Sequence, residues 1–429
     1  MQLSIIGSGH VGLVSGLCFA EKGHTVLCVD HDAAKIKKLK AGKVTFHEPH
    51  MQELLTKHIA AKTISFSTDT KDAVDFGAAI FVCVSTPSMP DGNVDMRYFE
   101  AVSRDIAEHI SEYRVIVEKS TVPIKTSSHM RANIERYLTR EVDFDVASNP
   151  EFLREGQAID DTLNPDRIVC GVTSHKAARV MQEVYAPFTA PLLMTTIQSA
   201  ELIKLASNAF LATRLSFINA ISRICELGGA NIQEVAEGMG LDKRIGKHFL
   251  SAGIGYGGSC FPKDVSGMYH VSKALGYDFE LLGEVQRVNE DQWQHFLARL
   301  EDTLWVLNGK TIALWGLAFK PDTDDIREAP ALKIANALIA KGAKVVGYDP
   351  AANENAKGEV PDIHTVESAL EACKDADALM ICTEWSEFAD VDLAEVKSAL
   401  RVPVIFDGRN QLDPDTVKAA GFHYVSVGR

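Results

Sequence analysis

Gln2-Leu-Ser-Ile-Ile-Gly-Ser-Gly-His-Val-Gly12 begins as a short apolar strand and runs straight into a glycine-rich turn. The next residues, Leu13 to Lys22, carry Leu13, Val14, Leu17 and Cys18 at helical spacing, and Gly23 closes that helix. Thr25-Val-Leu-Cys-Val29 is a second strand, ending at Asp30. A G-x-G-x-x-G run alone says little. Here it has a strand before it, a helix after it and an acid about 18 residues beyond it. That is the context a dinucleotide site needs: a tight turn, close approach of backbone to pyrophosphate, a helix N-terminus facing the phosphates, and a carboxylate for the ribose diol. Without that context the same glycines would be a turn that holds nothing. A carboxylate at Asp30 also repels the 2′-phosphate of NADP, so NAD is the expected cofactor.

The alternation continues. Ala79–Val84, Arg114–Val117 and Asp145–Ala147 read as strands that run into the loops Ser85-Thr86-Pro87, Ser120-Thr-Val-Pro123 and Ser148-Asn-Pro-Glu151. Strands alternating with helices over about the first 190 residues predict a parallel, doubly wound α/β sheet with ligands at the carboxyl ends of its strands. Those loops are therefore expected to line one crevice. From Lys310 the pattern restarts: strand Thr311–Gly316, helix Ala331–Lys341, strand Lys344–Tyr348 and then Asp349, an echo of Asp30. The glycines expected after Gly316 are replaced by Ala318, Phe319 and Lys320. A pyrophosphate cannot approach that backbone as closely, while Lys320 adds a charge, so a different phosphate-bearing ligand is expected here. The alternative is a structural duplicate that binds nothing. Thr383-Glu-Trp-Ser386 and Asp407-Gly-Arg-Asn410 follow later strands and are expected to face the cleft between the halves.

Between the halves, Ser199 to Leu227 reads as one long helix with an apolar face at Leu202, Leu205, Ala209, Ala212, Leu215 and Ile218. A face of that length is expected to be covered by a second copy of the chain. Lys204 and Asn208, one turn apart, project from the same side. They are either a functional pair or part of a solvated face. The fold expected is α/β, with two Rossmann-like doubly wound domains joined by a long central helix: residues 1–196, 197–300 and 301–429.

Composition sets limits on function. The chain has 429 residues, 46% of them hydrophobic and 24% charged, too many for one core. A net charge of −14 argues against nucleic acid or an anionic membrane as partner, so any anion must be held by local cations and helix N-termini. Neither a signal segment nor a membrane span is read, and eight cysteines in this length are not a disulfide framework, so a reducing cytoplasm is expected. His47, His50 and His58 lie near Glu48 but lack the spacing of a ligand set, and no metal is expected.

Gly255-Tyr-Gly-Gly-Ser-Cys-Phe-Pro-Lys-Asp264 carries the chemistry. Cys260 follows glycines that allow a ligand close to the backbone, and Lys263 can favour its thiolate. The alternative is a buried, inert thiol. A nicotinamide site beside a nucleophilic cysteine is an informative combination. Alcohol dehydrogenation alone needs no thiol, but further oxidation of the aldehyde does, through a thiohemiacetal and then a hydrolysable thioester. Four-electron oxidation of an alcohol to an acid follows. A hydroxyacid dehydrogenase sharing only the opening fold has no use for Cys260, and a catalytically dead sensor has no use for the aligned thiol, lysine and carboxylates.

These segments together resemble the UDP-glucose/GDP-mannose dehydrogenase family over nearly the whole length. The resemblance is carried by Gly7–Gly12, Ser120–Pro123, Asn149-Pro-Glu-Phe-Leu-Arg-Glu-Gly156, Lys204 with Asn208, Gly255–Asp264, Gly316-Leu-Ala-Phe-Lys320 and Asp407–Asn410. Leu241-Asp-Lys-Arg-Ile245, leading through Phe249-Leu250 to Cys260, is similar to the branch that oxidises UDP-glucose to UDP-glucuronate. GDP-mannose and a UDP-N-acetylhexosamine are the alternatives. One departure is His50, where the family commonly has glycine after Glu-Pro, so the local backbone is open to difference.

The resemblance implies roles. Cys260 is the nucleophile, and Lys204 and Asn208 stabilise the developing oxyanion. Glu151 and Asp264 are the candidate bases, acting through a water held by Thr121, with Glu151 favoured for hydrolysis. NAD contacts are implied at Gly7, Gly9, Val11, Gly12, Asp30, Lys35, Thr86, Thr121, Glu155, Lys263 and Arg327. Sugar-nucleotide contacts are implied at Glu151, Phe152, Leu153, Arg154, Glu155, Lys204, Asn208, Phe249, Leu250, Tyr256, Gly257, Lys320 and Arg409. Arg244 is expected to reach the neighbouring subunit's substrate in a homodimer or higher homo-oligomer.

Overall fold

The structure, a computed structural model, describes residues 1–87, 89 and 94–429. By internal contacts the chain divides into two compact units, Met1–Ser207 and Asn208–Arg429.

The first unit is built on eight strands: β1 Gln2–Ile6, β2 Thr25–Val29, β3 Ile64–Ser67, β4 Ala79–Val82, β5 Arg114–Glu118, β6 Phe144–Ser148, β7 Ile168–Gly171 and β8 Leu192–Thr195. β4, β5 and β6 are buried at every residue, as a sheet covered by helices on both faces requires. The order is β3-β2-β1-β4-β5-β6-β7-β8, parallel throughout except where β7 meets β6. Its first six strands follow the 3-2-1-4-5-6 order of dinucleotide folds, so the chain reverses direction between β1 and β4, where ligands bind. Leu3, Ile5, Leu13 and Leu17 fill one core layer, and Ile6, Val82, Ile106 and Ile116 another.

The second unit repeats the plan with β9 Thr311–Trp315, β10 Lys344–Tyr348, β11 His364–Thr365, β12 Ala378–Ile381, β13 Val404–Asp407 and β14 His423–Ser426. Their order, β11-β10-β9-β12-β13-β14, is again 3-2-1-4-5-6 and wholly parallel. The echo read from Asp349 is thus a true repeat of architecture. The linking helix, Ile197–Gly228, spans 32 residues.

Two expectations about this helix need correction. Leu202 is 39% exposed and does not belong to the packed face. Ala209, Ala212 and Ile218 are buried by the chain's own residues, with Ala209 and Ala212 packing on Val265, Leu282 and Val285. The exposed apolar stripe is a different one, Phe210, Phe217 and Ile224, seven residues apart. The sequence misled because several faces of this helix carry apolar residues, and spacing alone does not say which of them the chain covers.

His50 lies at φ 64°, in the left-handed region, immediately before the helix Met51–Ala60. It therefore holds a conformation that glycine adopts without strain. His50→Gly should raise stability by about 1 kcal/mol, read as a higher Tm in thermal denaturation. An unchanged or lower Tm would show that the exposed His50–Glu53 ion pair outweighs the strain.

Candidate active site

The turn after β1 is set by contact with the chain leaving β4. Gly7 sits at φ 98°, and a Cβ there would lie 2.5 Å from the Cys83 carbonyl oxygen. A Cβ on Gly12 would lie 1.8 Å from the Gly7 oxygen, closing the turn against its own helix, His10–Glu21. At Gly9, by contrast, a Cβ would meet nothing within 4 Å. Two glycines thus make the turn, and the third leaves space beside the backbone, the cradle a pyrophosphate needs. Val11 is half-buried in the first turn of that helix.

Asp30 is nearly buried and accepts from the Ser8 N–H at 2.9 Å, the Asp32 N–H at 3.0 Å and the Lys35 ammonium at 2.9 Å. Burial opposes its ionisation, but Lys35 and the two amides outweigh this and hold the carboxyl below its ordinary range. A permanently charged acceptor suits a ribose diol and disfavours a second phosphate. Nearby, the Thr86 hydroxyl donates to the Thr121 carbonyl at 3.1 Å and the Ser120 hydroxyl to the Val84 carbonyl at 2.8 Å. The loops after β4 and β5 are therefore brought together, as their strand order predicts.

The loop after β6 carries Glu151. One of its oxygens lies 3.0 Å from the Lys204 ammonium and the other accepts from the Leu153 N–H at 2.7 Å. Both side chains are almost wholly buried. Phe152 lies between two cations, Arg167 at 3.7 Å and Lys204 at 5.5 Å from its ring centre. Arg154 is held by Asp161 at 2.7 Å, Leu153 packs against the core and Glu155 is buried.

In the second unit Cys260 caps the helix Phe261–Ala274, with Pro262 in its first turn. None of the eight cysteines is in a disulfide, and seven are buried; Cys260 alone is partly exposed. Its Sγ lies 3.4 Å from the Ser259 hydroxyl. A helix N-terminus favours a thiolate. The Lys263 ammonium lies 2.6 Å from Asp264, which also accepts from the Asn208 amide at 2.6 Å. Asp264 so fastens the cysteine helix to the long helix. Adjacent charges in sequence, here Lys263 and Asp264, had an alternative partner in each other.

The glycines before the thiol are space-limited. A Cβ on Gly257 would lie 2.3 Å from the Glu328 oxygen, and one on Gly258 2.7 Å from the Phe319 ring. Arg409 donates to the carbonyls of Cys382 at 2.8 Å and Gly255 at 3.1 Å, bracing this loop. Phe249 and Tyr256 each meet the Phe261 ring edge-on, Leu250 is buried beside them in sequence, and Lys320 lies over Phe319. Arg327 is held by Asp325 and the exposed Arg244 by Asp242, each at 2.6 Å.

Asp349 differs from its counterpart Asp30. It is 1% exposed, and its carboxylate accepts from the N–H groups of Leu317, Ala318, Ala351 and Ala352 and from the Trp385 indole. It fills the turn where the first unit leaves room. Reading the sequence did not find Asn289, whose amide clamps Tyr256 on both backbone sides, at 2.8 and 3.1 Å; a lone helical asparagine gives no signal. Nor did it find the buried pair Glu118 and Glu201.

Three family descriptions match the chain in order: UDP-glucose/GDP-mannose dehydrogenase family, NAD binding domain over residues 1–189, central domain over 198–291 and UDP binding domain over 313–414. The chain belongs to the UDP-glucose/GDP-mannose dehydrogenase family. It is an NAD-dependent dehydrogenase of that family. It is 45% identical to the UDP-glucose 6-dehydrogenase TuaD of Bacillus subtilis (strain 168), over 100% of this chain and 93% of that one. Identity is 43% to the UDP-glucose 6-dehydrogenase of Rhizobium meliloti (strain 1021), over the whole of both chains. The solved structure of a UDP-glucose dehydrogenase from Pyrobaculum islandicum superposes with a TM-score of 0.92 at 36% identity, over 99% of this chain and 96% of that one. No helix among the described residues is long and apolar enough to cross a membrane.

Asp30→Ala removes the diol acceptor and frees Lys35. NAD affinity should fall at least about tenfold while NADP affinity holds or rises, measured by titrating each cofactor into the protein. Equal losses for both would show that the carboxylate does not choose between them.

Proposed function

We propose that the protein oxidises UDP-glucose at C6 to UDP-glucuronate, removing four electrons with two molecules of NAD. The observation that carries this reading is Cys260: the one cysteine among eight that is not buried, at a helix N-terminus, one turn from Asp264 and its Asn208 partner. The full-length identity to enzymes named for this reaction supports the choice of sugar. In this reading residues 1–196 bind NAD, 197–300 carry the thiol and the subunit contact, and 301–429 hold the uridine nucleotide.

NAD, when bound, accepts a hydride in each of two oxidations. The protein's groups do the rest. A base takes the C6 hydroxyl proton as the first hydride leaves, giving an aldehyde. The Cys260 thiolate adds to it, forming a C–S bond, and Lys204 and Asn208 stabilise the oxygen that gains charge. Loss of the second hydride from this thiohemiacetal gives a thioester. Glu151 draws a proton from a water held by Thr121, that water adds to the carbonyl, and the C–S bond breaks to return the thiolate. Asp264 holds Lys263 and Asn208 ready for these steps. Glu151 to Glu155, Phe249, Leu250, Tyr256, Gly257, Lys320 and Arg409 bind the sugar nucleotide. Thr86, Glu155, Lys263 and Arg327 join the glycine turn, Asp30 and Lys35 on NAD.

The stripe Phe210, Phe217 and Ile224 supports a homodimer through the long helix, with Arg244 extending to the neighbour's substrate. Phe217→Glu should lower the mass measured by sedimentation, and an unchanged mass rules this face out.

A substrate panel should give about two NADH per UDP-glucose consumed, with little free aldehyde. Cys260→Ser should keep both ligands bound while turnover falls about a thousandfold, about 4 kcal/mol. One NADH per sugar with aldehyde in solution, or a fast serine variant, would remove the covalent route. Faster oxidation of another nucleotide sugar would replace UDP-glucose and keep the chemistry.

A further inference from the structure

Glu118, the last residue of β5, and Glu201, on the long helix, are buried carboxylates at 1% and 2% exposure. Ser127 joins them: its hydroxyl donates to Glu118 at 3.2 Å and its N–H to Glu201 at 2.9 Å. Glu201 also accepts from the Lys125 N–H at 2.7 Å. Those amides open the helix Thr126–Tyr137, which begins at a left-handed Lys125 and has no side-chain cap of its own. Glu201 therefore caps a helix from outside it, a role the helix's own sequence leaves empty.

Position gives this contact its consequence. Glu118 lies three residues before Thr121, and Glu201 three residues before Lys204, which pairs with Glu151. The capped turn thus ties the loop carrying Thr121 to the helical turn carrying Lys204. We propose that Glu118 and Glu201 form a positioning pair bridged by Ser127: while Glu118 is protonated, Glu201 clamps the first turn of the helix Thr126–Tyr137 and keeps Thr121 and Lys204 in register, and ionisation of Glu118 releases that turn.

The groups facing Glu118 decide its charge. Glu201 faces it from the long helix and Lys119 is the residue directly after it, while Ser127 and Ser148 offer hydroxyls. Lys119 is itself buried, its ammonium donating to the Asn149 side-chain Oδ1 at 3.1 Å, and burial draws its pKa down. Burial first, then the charge on Glu201, push Glu118 up to about 8. Glu118 is therefore largely neutral at neutral pH, while Glu201 caps the helix. Its folded pKa exceeds the ordinary 4.5, so the folded state holds the extra proton between those values. Stability must fall as pH climbs through that window, and the loss is complete above about 8.

The experiment is hydrogen exchange by mass spectrometry on the full chain without ligands, corrected for intrinsic rate, over the peptide spanning residues 122–130. In the wild type, protection there should fall at least about tenfold from about pH 6.5 to about pH 9. Glu118→Gln, an imitation of the neutral acid, should keep that protection at both pH values and melt higher than wild type by a margin that widens as pH rises from about 4.5 to about 8. In turnover, an alkaline fall present in the wild type should disappear in this variant. Glu201→Gln, which loses one acceptor, should lower protection and turnover at every pH, by about tenfold. Wild-type protection that does not change with pH, or an equal alkaline loss in Glu118→Gln, overturns the pair. The wild-type series alone decides this should a variant fold poorly. The role given to Thr121 and Lys204 rests on the proposed reaction, but exchange needs no substrate: absence of nucleotide-sugar oxidation would remove that reading and leave the pair standing.

Discussion

Everything in the first unit depends on how closely the chain leaving β1 passes the chain leaving β4. Gly7 has no room for a Cβ because the Cys83 carbonyl is in the way, and Gly12 has none because Gly7 is. Those two exclusions aim the helix His10–Glu21 at the crevice and leave Gly9 facing open space. The second unit uses the same strand order to another end. Gly316 makes the same left-handed turn, pressed against Thr383, but Asp349 then folds back into the turn and takes four backbone N–H groups and an indole. One architecture therefore yields an open cradle in one sheet and a filled one in the other. A sugar nucleotide bound by the second unit must use other groups than those the first unit offers to NAD.

A chain with a net charge of −14 that binds anions must keep its cations in place. It does so by pairing them: Lys35 with Asp30, Lys204 with Glu151, Lys263 with Asp264, Arg327 with Asp325, Arg154 with Asp161. The pairs differ in cost. Arg327 and Arg154 are exposed, and water screens their partners' hold, so they are easily redirected to a phosphate. Lys204 and Glu151 are buried together, and removing either would leave an uncompensated charge. That asymmetry separates groups suited to capture a ligand from groups suited to act on one without moving.

Most of the framework was legible because it follows from local rules. Strands β1, β2 and β10 fall at the residues read from sequence, and the turn at Gly7 needs glycine for reasons visible in spacing. The helix that Cys260 opens, with Pro262 in its first turn, was not read from the sequence, although proline at that place is a common helix start. What else escaped was long-range. Ala209 and Ala212 are covered by residues more than 50 positions away, and Glu118 and Glu201 meet through Ser127. The expected partner face was wrong for the same reason: periodicity names faces, and only packing assigns their occupants.

The buried carboxylates of this chain show why Glu118 is set apart. Asp407 accepts two backbone N–H groups and the Tyr424 hydroxyl; Asp377 accepts the Thr311 N–H and faces Lys310 and Arg401. Glu48 binds the N–H groups of Gly156 and Ala158. Each of these uses backbone donors to hold a turn or strand end, and such donors cannot leave when a proton arrives. Glu118 has serine hydroxyls beside it and a second acid facing it. A hydroxyl can turn from donor to acceptor, so this site can accommodate either the neutral acid or the anion. A buried carboxyl held by hydroxyls alone, joined through Ser127 to the cap of a helix, is placed to pass a change of its own protonation on to that helix.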